Sequence, residues 1–290
     1  MEVKKAVIPC AGFGTRFLPI TKVVPKELLP IIDKPTLQYI VEEVVASGIN
    51  EILIIVSPQK AAIRNYFEEN KTLNAFLNKE GKTCEYELVN PALNVKISYA
   101  TQTTMNGNGK AIALAREFAD GEPIAVLFGD DLMYNGDGKP VTLQLIDAYN
   151  KTGKTVIGCQ KTSEEVARRC GVMVKCGKTE SNITPISGIV EKPKGEIPSE
   201  LVSLGRFILT PDIFDTIDET APSLNGEVFL TDAISNLAKK SGAVACEFSG
   251  RRYDIGNKEG FLEATVEYAL RDKKLSCEFA QYLKELTNKQ

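Results

Sequence analysis

A buried carboxylate costs free energy unless something pairs with it, so an acid that closes an apolar strand needs a reason to be there. Asp130 is such an acid, following the run Ile124 to Phe128 and then Gly129. It reads either as a turn former or as a hard oxygen ligand for Mg²⁺, an ion that takes one or two protein carboxylates and completes its shell with phosphates and water. Asp254, in Tyr-Asp-Ile-Gly, is the second candidate ligand. Asp131 would point to the opposite face of a continuing strand. Chemistry-bearing residues also gather near the amino terminus, where the apolar run Lys5 to Pro9 leads into Cys10, Ala11, Gly12, Phe13, Gly14, Thr15 and Arg16. A glycine-lined turn at the carboxyl end of a strand exposes backbone N–H groups, which bind anions. Arg16 and Lys26 add positive charge beside it. The forecast is a polyphosphate site, although the same spacing also serves as a plain tight turn.

Several familiar chemistries are excluded. The dinucleotide fingerprint Gly-x-Gly-x-x-Gly fails because Phe17 stands at its third glycine, and a Walker loop fails because Gly107-Asn-Gly-Lys110 lacks the leading glycine and continues into Ala111. The chain contains 0 His. That removes Ser-His-Asp and Cys-His catalysis, His-ligated zinc and a histidine nucleophile, leaving carboxylates, amines, guanidinium groups and metal. The 7 Cys are scattered, and only Cys170 and Cys176 are close, at a spacing that fits no zinc motif. Such usage suits reduced thiols and predicts a cytoplasmic protein. A net charge of -3 argues against nucleic acid as a partner. No apolar run is long enough to span a membrane, and the amino terminus shows no signal-peptide pattern.

The elements that position these residues follow from periodicity. Leu37, Ile40, Val41, Val44 and Val45 mark an amphipathic helix, and Glu51 to Ser57 reads as a strand buried on both faces. Lys60 to Lys79 reads as helical, and Thr83 to Asn94 is ambiguous. Val95 to Thr101 is a third strand ending at Gln102, and Gly109 opens a helix. The pattern predicts an open, doubly wound, mostly parallel sheet, in which ligands bind outside the carboxyl ends of the strands. The glycine loop, Gln102 and Asp130 all occupy such ends. From Thr155 the runs 155–159, 171–175, 184–191 and 201–209 come with few helices and predict an antiparallel or mixed extension. Helices near 211–220 and from Leu230, a strand from Val244 to Phe248, and C-terminal helices complete the chain. We divide it into a core of residues 1–256 and a helical region of residues 257–290 packed on it.

Taken together, Gly12-x-Gly14-Thr-Arg16, Pro25-Lys26-Glu27 and Leu29-Pro-Ile-Ile-Asp-Lys-Pro35 closely resemble the sugar-phosphate nucleotidyltransferases. The likeness is greatest to the branch that joins UTP to glucose 1-phosphate, giving UDP-glucose and pyrophosphate. It runs from about Lys4 to Arg271 with the motifs in the family's order. It implies a Rossmann-like fold, Mg²⁺ held by Asp130 and Asp254, and nucleotide binding by Ala11, Gly12, Gly14, Thr15, Gln102 and Gly107. Gln102 would read the uracil edge. Arg16, Lys26 and Lys192 would be the catalytic cations. Glu191 of Glu-Lys-Pro, with Gly171, Gly205 and Glu227, would face the sugar. Without the resemblance, Glu191-Lys192 reads as a solvated surface pair and the two glycines as ordinary backbone accommodations. Asn108 and Lys110 depart from relatives, which commonly read Gly-Leu-Gly-His there. A thymidylyltransferase or other sugar 1-phosphate specificity is the nearest alternative, and a non-catalytic nucleotide-sugar sensor is further off. The C-terminal helices have the spacing to pair between subunits, predicting a homo-oligomer, dimer or tetramer.

Overall fold

A computed structural model of the chain describes residues 1–91, 93–136 and 138–288. Its frame is a nine-stranded sheet, with two short ribbons beside it. In chain order the strands are β1 (Lys5–Pro9), β2 (Pro30–Ile31), β3 (Lys34–Pro35), β4 (Glu51–Val56), β5 (Lys96–Thr101), β6 (Ile124–Leu127), β7 (Asp131–Tyr134), β8 (Thr155–Lys161), β9 (Gly171–Lys175), β10 (Ile183–Glu191), β11 (Leu201–Leu209), β12 (Ala243–Glu247) and β13 (Arg251–Asp254). The sheet runs β5-β4-β1-β6-β11-β8-β12-β10-β9.

The first four of these strands are parallel, and β1 lies between β4 and β6. Chain order therefore reverses direction at β1, and a crevice forms outside its carboxyl end. The glycine loop begins there. The apolar run predicted a strand covered on both faces. Ala6 and Ile8 pack in one core while Val7 packs in the other, all fully buried. The helix Thr36–Ala46 covers the first face with Leu37, Ile40, Val41 and Val44. Each such side chain contributes roughly 1.5–3 kcal/mol by leaving water.

The second half is mixed. β11 runs antiparallel to both β6 and β8, β8 is parallel to β12, and β10 is antiparallel to β12 and β9. The edge strand β9 also meets β11 at Val172↔Val202, so this end of the sheet curls back on itself. The mixed extension predicted from Thr155 onward is this half.

Three elements differ from the sequence expectation. Thr83–Val89, left ambiguous, is helical, and Val141–Thr152 forms a helix the pattern reading did not mark. β7 and β13 pair outside the main sheet, with Asp131 opposite Asp254 and Tyr134 opposite Arg251. This arm is held by a third apolar cluster of Ile31, Leu132, Tyr253, Ile255 and Ala264. Through that cluster the helix Lys258–Arg271 positions Asp254, with Tyr253 Oη donating to Glu267 Oε2 at 2.7 Å. The final helix, Ser276–Thr287, buries none of its residues. Among the described residues no helix is long and apolar enough to cross a membrane.

Candidate active site

The loop after β1 is fixed at its base by Cys10 N donating to Ile55 O at 2.7 Å. Ala11 is buried, whereas a side chain on Gly12 would enter open space. Among the described residues no contact requires a glycine at position 12, and its bare backbone faces a cavity of about 340 Å³. Gly14 is bare for a packing reason, since a Cβ there would lie 3.2 Å from Lys26 Cβ and from Thr21 Cγ2. Thr15–Phe17 forms a single 3₁₀ turn. Phe17 is buried edge-on against Phe261 with centroids 5.6 Å apart, and Arg16 extends to Gly256 O at 3.4 Å. The loop is thereby tied to the segment that carries Asp254.

Lys26 and Asp130 meet at the cavity floor, Nζ to Oδ2 at 2.5 Å. Burial works against the Lys26 charge, but Asp130 and Glu27 outweigh it and hold the ammonium above its ordinary pKa. Burial likewise opposes the Asp130 charge, and Lys26 reverses the balance, keeping the carboxyl below its ordinary value. Both groups are therefore charged at neutral pH. Asp254 approaches from the arm, with Ile255 N donating to Asp130 O at 3.1 Å. A Cβ on Gly256 would lie 2.7 Å from Asp130 Oδ2 and 3.1 Å from Asp254 Oδ1, so the two carboxylates converge on the space that glycine leaves. Among the described residues no group of three or more His, Cys, Asp and Glu is arranged around a metal position. A convergent carboxylate pair suits a hard divalent cation that draws its other ligands from phosphates and water.

Asp131 turns the other way. Its carboxylate is buried against Arg252, Nη2 to Oδ1 at 2.5 Å, and Arg252 also approaches Asp254 Oδ2 at 3.6 Å. Burial lifts the Asp131 carboxyl to about 6, with Arg252 drawing it back and Asp130 and Asp254 pushing it up. Gly205 makes this possible. It sits at a bulge in β11 with φ 60°, and a Cβ would stand 2.0 Å from Asp131 Oδ2. The wholly buried Arg206 donates to Asp131 O at 2.8 Å and pairs with Glu43 at 2.7 Å. Arg252, Arg206 and Glu43 escaped the sequence reading because their partners lie far off in the chain. The doubled arginine before Tyr253-Asp254 was the one available signal.

Gln102, at the end of β5, is buried, and its Nε2 donates to Asn106 Oδ1 at 3.2 Å and Gly107 O at 3.3 Å. A backbone carbonyl can only accept, so it fixes which end of the amide is nitrogen. Among the described residues the amide oxygen has no protein partner, yet it is not buried, and Gln102 lines the cavity. Gly107 has φ 100°, and a Cβ there would lie 2.4 Å from Val228 O. Asn108 Oδ1 accepts from Leu230 N at 2.8 Å and so caps the helix Leu230–Lys240, which accounts for the asparagine in this unusual loop. Lys110 reaches the surface acid Asp218, at 3.5 Å.

Glu191 closes β10 opposite Gly171. Without a side chain, Gly171 leaves room for Glu191 Oε2, which a Cβ would approach to 3.1 Å. Burial raises the Glu191 pKa, with Asp232 adding to the rise and Lys192 and Thr231 opposing it. Lys192 has φ 46°, uncommon for a non-glycine residue, and its exposed ammonium stands 3.9 Å from Glu191 Oε1. Burial raises the Cys170 thiol pKa, with Arg252 opposing the rise and Asp131, Asp254 and Glu191 adding to it. Ala11, Gly12, Gln102, Gly107, Asp130 and Glu227 line the 340 Å³ cavity, and Glu227 accepts from Asn225 Nδ2 at 3.0 Å. Lys26 joins them through Asp130. Gly14, Thr15, Arg16, Glu191, Lys192, Gly171, Gly205 and Asp254 lie outside that lining, with Thr15 and Arg16 exposed.

Residues 5–271 match the Nucleotidyl transferase family, and the chain belongs to it. Nucleotidyl transferases of this family generally use a divalent metal. Among curated relatives, the chain is 44% identical to UTP–glucose-1-phosphate uridylyltransferase 2 of Staphylococcus saprophyticus subsp. saprophyticus, covering 98% of each chain. It is 43% identical to UTP–glucose-1-phosphate uridylyltransferase of Bacillus subtilis, over 100% of this chain and 99% of that one. Among solved structures, a UTP-bound UGPase from Acinetobacter baumannii superposes with TM-score 0.91 at 32% identity, covering 98% of this chain and 99% of that one. A UDP-glucose pyrophosphorylase complexed with UDP-glucose superposes with TM-score 0.82 at 36% identity, covering 93% and 100%.

Proposed function

We propose that this chain transfers UMP from UTP to α-D-glucose 1-phosphate, yielding UDP-glucose and pyrophosphate. The observation that carries the reading is 44% identity, along 98% of the chain, to an enzyme named for that reaction. The chemistry suits a protein with 0 His. The phosphate of glucose 1-phosphate is ionised at neutral pH, so neither a general base nor a covalent nucleophile is required. One of its oxygens attacks the α-phosphorus of UTP as the bond to pyrophosphate breaks, and the electron pair leaves with pyrophosphate. The protein's part is positioning and charge compensation.

The residue roles follow from this reading. The amides of Ala11, Gly12, Gly14 and Thr15, together with Arg16, hold the β- and γ-phosphates. Lys26 faces the α-phosphate. Gln102, through its free amide oxygen, accepts from uracil N3–H, and Gly107 lets the backbone approach the base. Glu191 and Glu227 bind sugar hydroxyls beside Gly171 and Gly205, and Lys192 orients the attacking phosphate. Asp130 and Asp254 hold the divalent cation, Mg²⁺ in this reading, whose charge when bound offsets that of the two reacting phosphates.

Exposed Tyr282 and Leu286 on the terminal helix support a homo-oligomer, and the free cysteines support a reducing, cytoplasmic setting. Chromatography of a mixture of UTP, glucose 1-phosphate, Mg²⁺ and protein is the test. Equimolar UDP-glucose and pyrophosphate are expected. UTP loss without a sugar nucleotide would contradict the reading.

A further inference from the structure

Two charged side chains outside these substrate roles are buried beneath the glycine loop. Glu27 is 1% exposed and Lys60 is 6% exposed. Lys60 Nζ donates to Glu27 Oε1 at 2.9 Å, to Glu27 Oε2 at 2.7 Å and to the backbone oxygen of Cys10 at 2.7 Å. An ammonium has three donors, and all three are used. Glu27 is the chain neighbour of Lys26. Its Cγ and the Cys10 Sγ press on Gly129 from one side, since a Cβ there would lie 3.2 Å from the first and 2.9 Å from the second. Gly129 immediately precedes Asp130. The carboxyl ends of β1, β4 and β6 are therefore clamped together at one ion pair.

A buried ion pair is a poor device for stability alone. Desolvation of both charges offsets their attraction, and apolar side chains of similar volume are commonly as stabilising or more so. What the pair does provide is a fixed distance between groups on different strands. We propose that Glu27–Lys60 is a positioning pair for the nucleotide phosphates, holding the Cys10 carbonyl, and with it the amides of Ala11 to Gly14, at a set spacing from Lys26 and Asp130. The role rests on the reading of these residues as the UTP site. Neither side chain reaches the cavity, so neither is a catalytic residue.

The test is the double variant Glu27→Leu/Lys60→Met, which replaces the pair by apolar side chains of similar length. The Tm is expected to stay within about 5 °C of wild type. The kcat/KM for UTP is expected to fall about 10- to 100-fold, because small displacements of positioned groups have effects of that size. The KM for glucose 1-phosphate is expected to stay within about twofold. A second variant, Glu27→Asp, keeps the charge but draws the carboxylate back by one methylene, and the same UTP-selective loss is expected at smaller size. A pair that only braces the fold would lower the Tm and affect both substrates alike, and that result overturns the role. Unchanged UTP constants in either variant, with a wild type that turns over, overturn the role alone. A wild type without turnover overturns the proposed function and this role with it.

Discussion

At the scale of single residues, Lys192 holds its ammonium beside Glu191 on a left-handed stretch of backbone, φ 46°, at the end of β10. Strain of this kind persists where surrounding contacts over-determine it, and here Lys192 N donates to Cys170 O at 3.0 Å. Lys192→Ala is expected to lower kcat about 10²- to 10³-fold, the usual cost of losing one transition-state contact. Near-normal turnover would remove the role. Asp130→Asn is expected to raise the Mg²⁺ concentration for half-maximal rate by about 10-fold or more. An unchanged metal dependence would take Asp130 out of the site. Gly205→Ala should lower stability by about 2–3 kcal/mol, because the added methyl meets the buried Asp131 carboxylate on backbone that L-residues avoid; a denaturation midpoint at the wild-type value would contradict this. Asp130 was legible in the sequence because an acid closing an apolar strand is conspicuous. The demands on Gly171 and Gly205 were not, since the carboxylates that need the space, Glu191 and Asp131, arrive from other strands. Lys60 and Arg252 were missed for the same reason.

Among elements, the parallel half was legible because β1, β4 and β6 are buried on both faces and so appear as apolar runs. The arm of β7 and β13 was not. It is four residues on each side, Asp131–Tyr134 and Arg251–Asp254, half polar, and paired across a long separation. It is nonetheless the element that carries Asp254 to Asp130. The helix Val141–Thr152 was hidden by its polar positions, although it buries Val141, Leu145 and Ile146. The last helix gives a prediction at this scale. Because Ser276–Thr287 buries no residue in the subunit, a chain cut after Arg271 is expected to keep its Tm within about 3 °C. Its mass by light scattering is expected to fall to that of the monomer. An unchanged mass would place the subunit contact elsewhere.

Across the whole molecule, the two halves of the sheet divide the work. The parallel half presents the glycine loop and Gln102 at strand ends around the crevice where chain order reverses, and the mixed half carries Glu191 and Lys192 at the end of β10. β11 joins the halves by pairing with β6 and β8, and at its bulge it makes room for the Asp131–Arg252 pair behind the candidate metal carboxylates. Sugar-dependent uridylyl transfer is the central claim, with the Gln102 amide selecting a base that carries N3–H over cytosine. Its most direct test is pyrophosphate release with Mg²⁺ and glucose 1-phosphate across UTP, dTTP, CTP, ATP and GTP, against a sugar-free blank. Release that requires the sugar and is far faster with UTP than with the others is the expected result. Preference for another nucleotide, or release without the sugar, would contradict it.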